Sequence, residues 1–95
     1  MVPATEVVAF VFDEGVTRVI TSAEQLTMQP TLAALARRLD ADQFCAISRT
    51  VIVRLDAVRE ARPFPDGTGE AILANGMAVP VARRRWRVLL DRLGG

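Results

Sequence analysis

The sequence predicts a small, mainly-β domain with two short helices. Three observations carry that reading: short runs rich in β-branched residues, turn signals about every eight to twelve residues, and two leucine stripes at helical spacing. The 95 residues are enough for one domain, spanning 1–95. A hydrophobic content of 51% fits a compact core and argues against disorder.

Val7 to Phe12 is rich in valine and phenylalanine and reads as a buried strand. Asp13-Glu14-Gly15 signals a turn, and Val16 to Thr21, dominated by β-branched residues, reads as the returning strand. Ser22-Ala23-Glu24 breaks that run, and Gln25 to Met28 follows as a third strand of a meander. A helix is expected from Thr31 to Leu39. Pro30 precedes it, Thr31 caps it, and Leu32, Leu35 and Leu39 share one face. Arg37 and Arg38 then fall in its last turns as ordinary helix-end charge, and Asp40-Ala41-Asp42 ends it.

Phe44 to Ile47 reads as a short strand, with Val51 to Val53 and Leu55 continuing the core. Val58 begins an extended piece that stops at Pro63, and Pro65-Asp66-Gly67-Thr68-Gly69 is a loop. Glu70 to Ala74 and Met77 to Val79 flank Asn75-Gly76, a dipeptide that tolerates positive φ at both positions and so suits a tight hairpin. A last helix, Arg83 to Leu93, follows Pro80. Trp86, Leu89, Leu90 and Leu93 form its apolar stripe, and Gly94-Gly95 terminates it. Trp86 is in register with the leucines and reads as a core anchor rather than a base-stacking platform.

Several function classes are disfavoured. There is no histidine and one cysteine, so the usual zinc sites and the Ser-His or Cys-His pairs of nucleophilic catalysis are missing. No phosphate-cradling glycine loop and no paired carboxylates on an apolar wall are apparent. Neither an enzyme nor a cofactor or metal is expected. Cys45, between apolar neighbours, reads as a buried, inert thiol. The longest apolar run, Val7 to Phe12, is too short to span a bilayer. No basic segment precedes it and no cleavage site follows, so a cytoplasmic chain without a membrane partner is expected.

Charge is informative in its layout. All twelve basic residues are arginine, a usage that a GC-rich genome would also produce. Residues 1–44 carry three arginines against six acids, and residues 45–95 carry nine against five. Net charge thus runs from −3 to +4 along the chain, although the total is only +1. A local basic surface of this kind suits phosphate-bearing partners.

The stretch from Phe44 to Arg85 holds the most specific pattern. Ser48-Arg49-Thr50-Val51-Ile52-Val53-Arg54 follows Phe44, Asn75-Gly76 marks a hairpin, and Pro80-Val81-Ala82-Arg83-Arg84 leads into the last helix. Upstream lie VVAFVFDEGVTRVIT and the Thr31-Leu32 pair. Taken in this order and spacing, these pieces resemble the LytTR family, the DNA-binding output domain of many bacterial response regulators in two-component systems.

The resemblance implies an elongated antiparallel β-sandwich that contacts double-stranded DNA mainly through loops at one end. It aligns Arg49 and Arg83 with contact residues, with Arg84 beside the second. It assigns a third contact to the Asp13 to Val16 loop, with Arg18 nearby. It also implies binding to paired direct repeats, with two copies per site and a dimer on DNA. Ser48 stands where the family pattern has histidine, Arg54 where it has asparagine, and Ala82 where a serine usually caps the helix. Arg54 is open to two readings, an added phosphate contact or a surface partner for Asp56. Arginine suits either kind of DNA contact, since its planar fork can take guanine O6 and N7 together or grip phosphate.

Two function classes follow. The first is sequence-specific duplex binding as the output domain of a transcription regulator, whether a fragment of a longer chain or a small stand-alone protein. The second is a β-rich interaction module whose arginines meet an acidic protein or RNA. Convergence of Arg49, Arg83 and Arg84 on one face discriminates the two.

Overall fold

The computed structural model describes residues 4–29 and 31–94. Its first two strands, β1 (Val7–Asp13) and β2 (Val16–Thr21), pair antiparallel and close on Glu14 and Gly15. Both turn residues have positive φ, 51° and 81°. This is the backbone of a two-residue type I′ hairpin, whose twist matches that of the flanking strands. Thr21 shapes the next turn, its Oγ1 accepting from the N–H of Ala23 at 3.2 Å and of Glu24 at 3.0 Å. The chain returns as β3 (Gln25–Met28), completing the expected meander.

Thr31 caps the first helix, α1 (Leu32–Ala36), by accepting from the N–H of Ala34 at 3.2 Å. Pro30, expected just before it, lies outside the described residues. The helix is shorter than the predicted Thr31 to Leu39. Arg37 is its C-cap, and the N–H of Arg38 bonds Leu35 O at 2.8 Å, an i to i−3 tightening that ends the α geometry. Arg37 and Arg38 are therefore exposed residues at and beyond the helix end rather than part of its last turns. Leu39 still packs on the same cluster as Leu32 and Leu35.

β4 (Phe44–Ala46) and β5 (Val51–Arg54) form a second hairpin, and β5 pairs with β1. The result is a five-stranded antiparallel sheet in the order β3-β2-β1-β5-β4. β6 (Val58–Pro63), β7 (Gly69–Leu73) and β8 (Ala78–Val81) make a second, three-stranded antiparallel sheet. The two sheets enclose the larger apolar cluster, which includes Ile20, Ile47, Val53, Leu73 and Val81, while α1 covers the outer face of the larger sheet over Phe10, Val19 and Ile52. Phe10 and Phe44 meet there with ring centroids 5.8 Å apart. The molecule measures 37 × 23 × 22 Å, the elongated sandwich implied by the resemblance.

The Asn75-Gly76 turn has positive φ only at Gly76, 86°. Its hydrogen bonds run from Gly76 N–H to Leu73 O and from Leu73 N–H to Met77 O, both at 2.8 Å. It is a three-residue loop, a type I turn finished by a left-handed glycine, rather than a tight turn with positive φ at both positions. Pro80, read as the lead-in to the helix, instead lies within β8, an edge strand where the missing N–H is tolerated.

The second helix, α2 (Arg83–Arg92), has Ala82 at its N-cap with no side-chain cap bond. Leu89 is fully buried between the sheets, and Trp86 and Val88 pack beside it. Burying a leucine so completely is worth roughly 1.5–3 kcal/mol. Leu93, expected in the apolar stripe, lies past the helix end and is exposed. Gly94 follows at φ 89°, as a helix terminator should; Gly95 lies outside the described residues. No helix among the described residues is long and apolar enough to cross a membrane.

Candidate nucleic-acid interface

Three segments that are distant in sequence meet at one end of the sandwich. The first is the β1–β2 hairpin. Its Phe12 N–H bonds Thr50 O at 2.8 Å, which sets the Glu14-Gly15 turn beside the β4–β5 connection. The second is that connection, Ser48-Arg49-Thr50. Ser48 Oγ accepts from the N–H of Thr50 at 3.2 Å, and Ile47 N–H bonds Val51 O at 3.0 Å, so the turn is braced and Arg49 projects from it into solvent. The third is the start of α2. Ala82 N–H bonds Ile47 O at 2.9 Å, and Arg85 Nε donates to Ala46 O at 2.7 Å. These bonds fasten the helix start to the edge strand β4 and to the residue just before the turn.

Between the second and third segments lies an open concavity of about 320 Å³, lined by Ala46, Ser48, Arg49, Ala82, Arg84 and Arg85. It brings together three of the residues singled out in the sequence, Ser48, Arg49 and Arg84. Arg85, which belongs to the basic run but was not expected to act, joins them. Among the described residues no carboxylate oxygen comes within 4.0 Å of Arg49, Arg84 or Arg85. Three guanidinium groups without carboxylate neighbours, beside a helix start that lacks a side-chain cap, give this surface a positive local field.

The other expected residues lie elsewhere. Arg83 is exposed at the first position of α2, but its side chain runs along Gly67, where an added Cβ would stand 3.0 Å from its Nε. It faces the Pro65 to Gly69 loop rather than the concavity, so of the three arginines whose convergence discriminates the two function classes, Arg49 and Arg84 meet and Arg83 does not. There the Asp66 carboxylate accepts from Thr68 Oγ1 at 2.6 Å and from Thr68 N–H at 2.9 Å. Those bonds, with a smaller contribution from the Arg83 charge, hold Asp66 below the ordinary aspartate range. Arg18 sits at the first hairpin, 3.7 Å from Asp13, so the acid there is partly balanced.

Arg54 is remote. It pairs with Phe44 at the end of the β4–β5 hairpin away from Ser48–Thr50, and it lies four positions along the strand from Thr50, about 13 Å. Its side chain is 19% exposed; Nε donates to Val7 O at 2.6 Å, and Nη1 lies 4.0 Å from Asp56. Of its two readings, the geometry favours the partner of Asp56, with a backbone tie added. Cys45 is buried, and no group of His, Cys, Asp or Glu side chains among the described residues could hold a metal.

Comparisons with known proteins agree with this architecture. A family model described as the LytTr DNA-binding domain matches residues 1–94. A solved structure, described as the LytTr DNA-binding domain of a methyl-accepting/DNA response regulator from Bacillus cereus, superposes with a TM-score of 0.91. The identity is 23%, and the match covers 99% of this chain and 86% of that one. At that identity the likeness speaks for the fold. A search of curated proteins finds no match.

Proposed function

The chain belongs to the LytTR family of DNA-binding domains, and from that premise we propose that residues 1–95 act as one domain that binds double-stranded DNA sequence-specifically. It serves as the output part of a cytoplasmic bacterial transcription regulator of the response-regulator type. The single observation that carries this reading is the meeting of Ser48, Arg49 and Arg84 on one concavity with no carboxylate of the described residues within 4.0 Å of either arginine. Elsewhere on the surface Arg62 is engaged by an acid, Glu60 at 2.6 Å, whereas these two guanidinium groups share a concavity and face no such neighbour among the described residues.

At 37 × 23 × 22 Å the molecule is small, so one copy covers a short site. Two copies on paired direct repeats would lengthen the recognised sequence, and the dimer forms on DNA. Arg49 and Arg84 read bases or grip phosphate from the concavity, Arg83 adds charge from the adjacent loop side, and the first hairpin with Arg18 flanks them. Arg54 contributes to the fold rather than to the contact.

Site selection from a random duplex pool with the purified domain tests the reading. It should enrich a repeated motif. With about four phosphate contacts, log K against log salt should fall with a slope of roughly −3 to −4. A slope near zero, or preference for RNA, single strands or an acidic polypeptide, would favour the interaction-module reading instead.

A further inference from the structure

The side chain that holds the third segment in place is only partly used. Arg85 is half-buried, and its Nε is committed to Ala46 O at 2.7 Å. Among the described residues its two terminal nitrogens have no carboxylate within 4.0 Å, and no buried side-chain nitrogen is left unsatisfied. Those nitrogens make no hydrogen bond among the described residues and reach solvent, on a guanidinium held at Nε by Ala46 O; the side chain borders both the concavity and a second cleft that includes Asp40 and Arg92. Arg49 and Arg84, by contrast, are exposed and make no ion pair among the described residues. A pre-oriented arginine loses little side-chain freedom on meeting an anion, whereas the two flexible ones must be ordered. The concavity of about 320 Å³ has room for on the order of ten waters, so a tetrahedral oxyanion can enter with part of its hydration shell.

We infer that this concavity is a seat for one phosphate group, with Arg85 as its fixed element and Arg49 and Arg84 closing from either side. The inference rests on the duplex-binding reading and makes it more specific, because the seat takes a backbone phosphate and so sets the register of the domain on the duplex. The shared chemistry is a phosphate oxyanion, which inorganic phosphate also offers.

Arg85→Gln separates this role from a merely structural one. Glutamine Nε2 occupies the position of arginine Nε along the side chain, so the bond to Ala46 O can persist while the charged terminal nitrogens are gone. Wild type and Arg85→Gln are compared for melting temperature, duplex affinity and salt slope, using duplexes that carry one neutral methylphosphonate at each position in turn. The expected result is a nearly unchanged melting temperature, a slope shallower by about one, and duplex affinity weaker by about fivefold near physiological salt. One methylphosphonate position should weaken wild type to a similar degree and leave Arg85→Gln unaffected.

In a parallel arm, inorganic phosphate balanced against chloride is titrated into the free protein while the amides of Ser48–Thr50 and Ala82–Arg85 are followed. Shifts in wild type that vanish in Arg85→Gln, without any epistasis on the duplex, would support the seat and assign it to free phosphate. Full recovery of affinity, slope and phosphate response in Arg85→Gln overturns the seat and leaves Arg85 as a structural tie. Failure of wild type to bind any duplex would defeat the duplex-binding reading, and the phosphate titration would still decide the seat.

Discussion

Gly69→Ala tests how α2 is held against the smaller sheet. Gly69 is buried in β7, and an added Cβ would stand 2.5 Å from Arg62 O and 2.5 Å from Trp86 Cζ3, with Cε3 at 2.9 Å. Carbon contacts settle near 3.5–4.0 Å, so the ring must retreat by about 1 Å. Arg62 O cannot yield easily, because Arg62 pairs with Glu70 and Pro63 with Gly69 in the β6–β7 ladder. Overpacking a close-packed site costs roughly 1–3 kcal/mol, and with backbone on one side and a packed indole on the other the upper end applies, about 3 kcal/mol. For a domain of this size each kcal/mol lowers Tm by about 4–8 °C, so a fall of roughly 12–24 °C is expected.

Gly76→Ala is the control. Nothing lies within 4 Å of its Cβ, and only the positive φ of 86° opposes it, at about 1–2 kcal/mol. Thermal and urea unfolding of both variants measure the difference. A Gly69→Ala fall no larger than that of Gly76→Ala would refute the account of how α2 docks.

Arg54→Ala should lower stability by about 1–2 kcal/mol in urea unfolding, because it removes the charge-assisted bond to Val7 O, while duplex affinity stays within about twofold. Arg49→Ala should stay folded and lose roughly 1–3 kcal/mol of discrimination between cognate and random duplex if it reads a base; Arg37→Ala, at the end of α1, should change little in the same assay. Arg83→Ala should weaken cognate and random duplex alike, since its side chain lies along Gly67 and not in the concavity. Asp66 has its pKa lowered mainly by the Thr68 hydroxyl bond, so its contribution to holding the 65–69 loop is present above the unfolded aspartate pKa and is lost as pH falls through the lower folded value. Side-chain carboxyl NMR of Asp66 should therefore titrate below the ordinary aspartate range, and Thr68→Ala should bring it back up.

Local patterns made most of the fold legible. β-branched runs located the strands of the meander, Thr31 marked its helix, and the Trp86–Leu89 spacing fixed the buried face of α2. What failed was chemistry that the tertiary frame decides. Asn75-Gly76 has the preferred composition for a tight turn, yet the register of β7 and β8 leaves three loop residues there. The two-residue turn falls instead at Glu14-Gly15, where a glutamate accepts a φ of 51° because the strands on either side impose it. Pro80 reads locally as a helix lead-in, and only the sheet order shows that it sits on an edge.

The site shows the same division. Ser48, Arg49 and Arg84 were visible through the resemblance. Arg54 and Arg85 owe their positions to bonds with Val7 and Ala46, 47 and 39 residues away. Periodicity cannot reveal such partners, although Arg85 lies four residues before the buried Leu89 and so on the inward-facing side of α2.

The central claim is that duplex DNA engages the end of the sandwich where the Glu14-Gly15 turn, Ser48–Thr50 and Ala82–Arg85 meet. Backbone-amide NMR during titration with a selected duplex tests it most directly. The account predicts shifts concentrated in those three segments, with Arg54–Ala57 and Asn75–Gly76, at the other end of their hairpins, unmoved. Shifts centred instead on Arg37 and Arg38, or on the Arg59 and Arg62 strand, would contradict it.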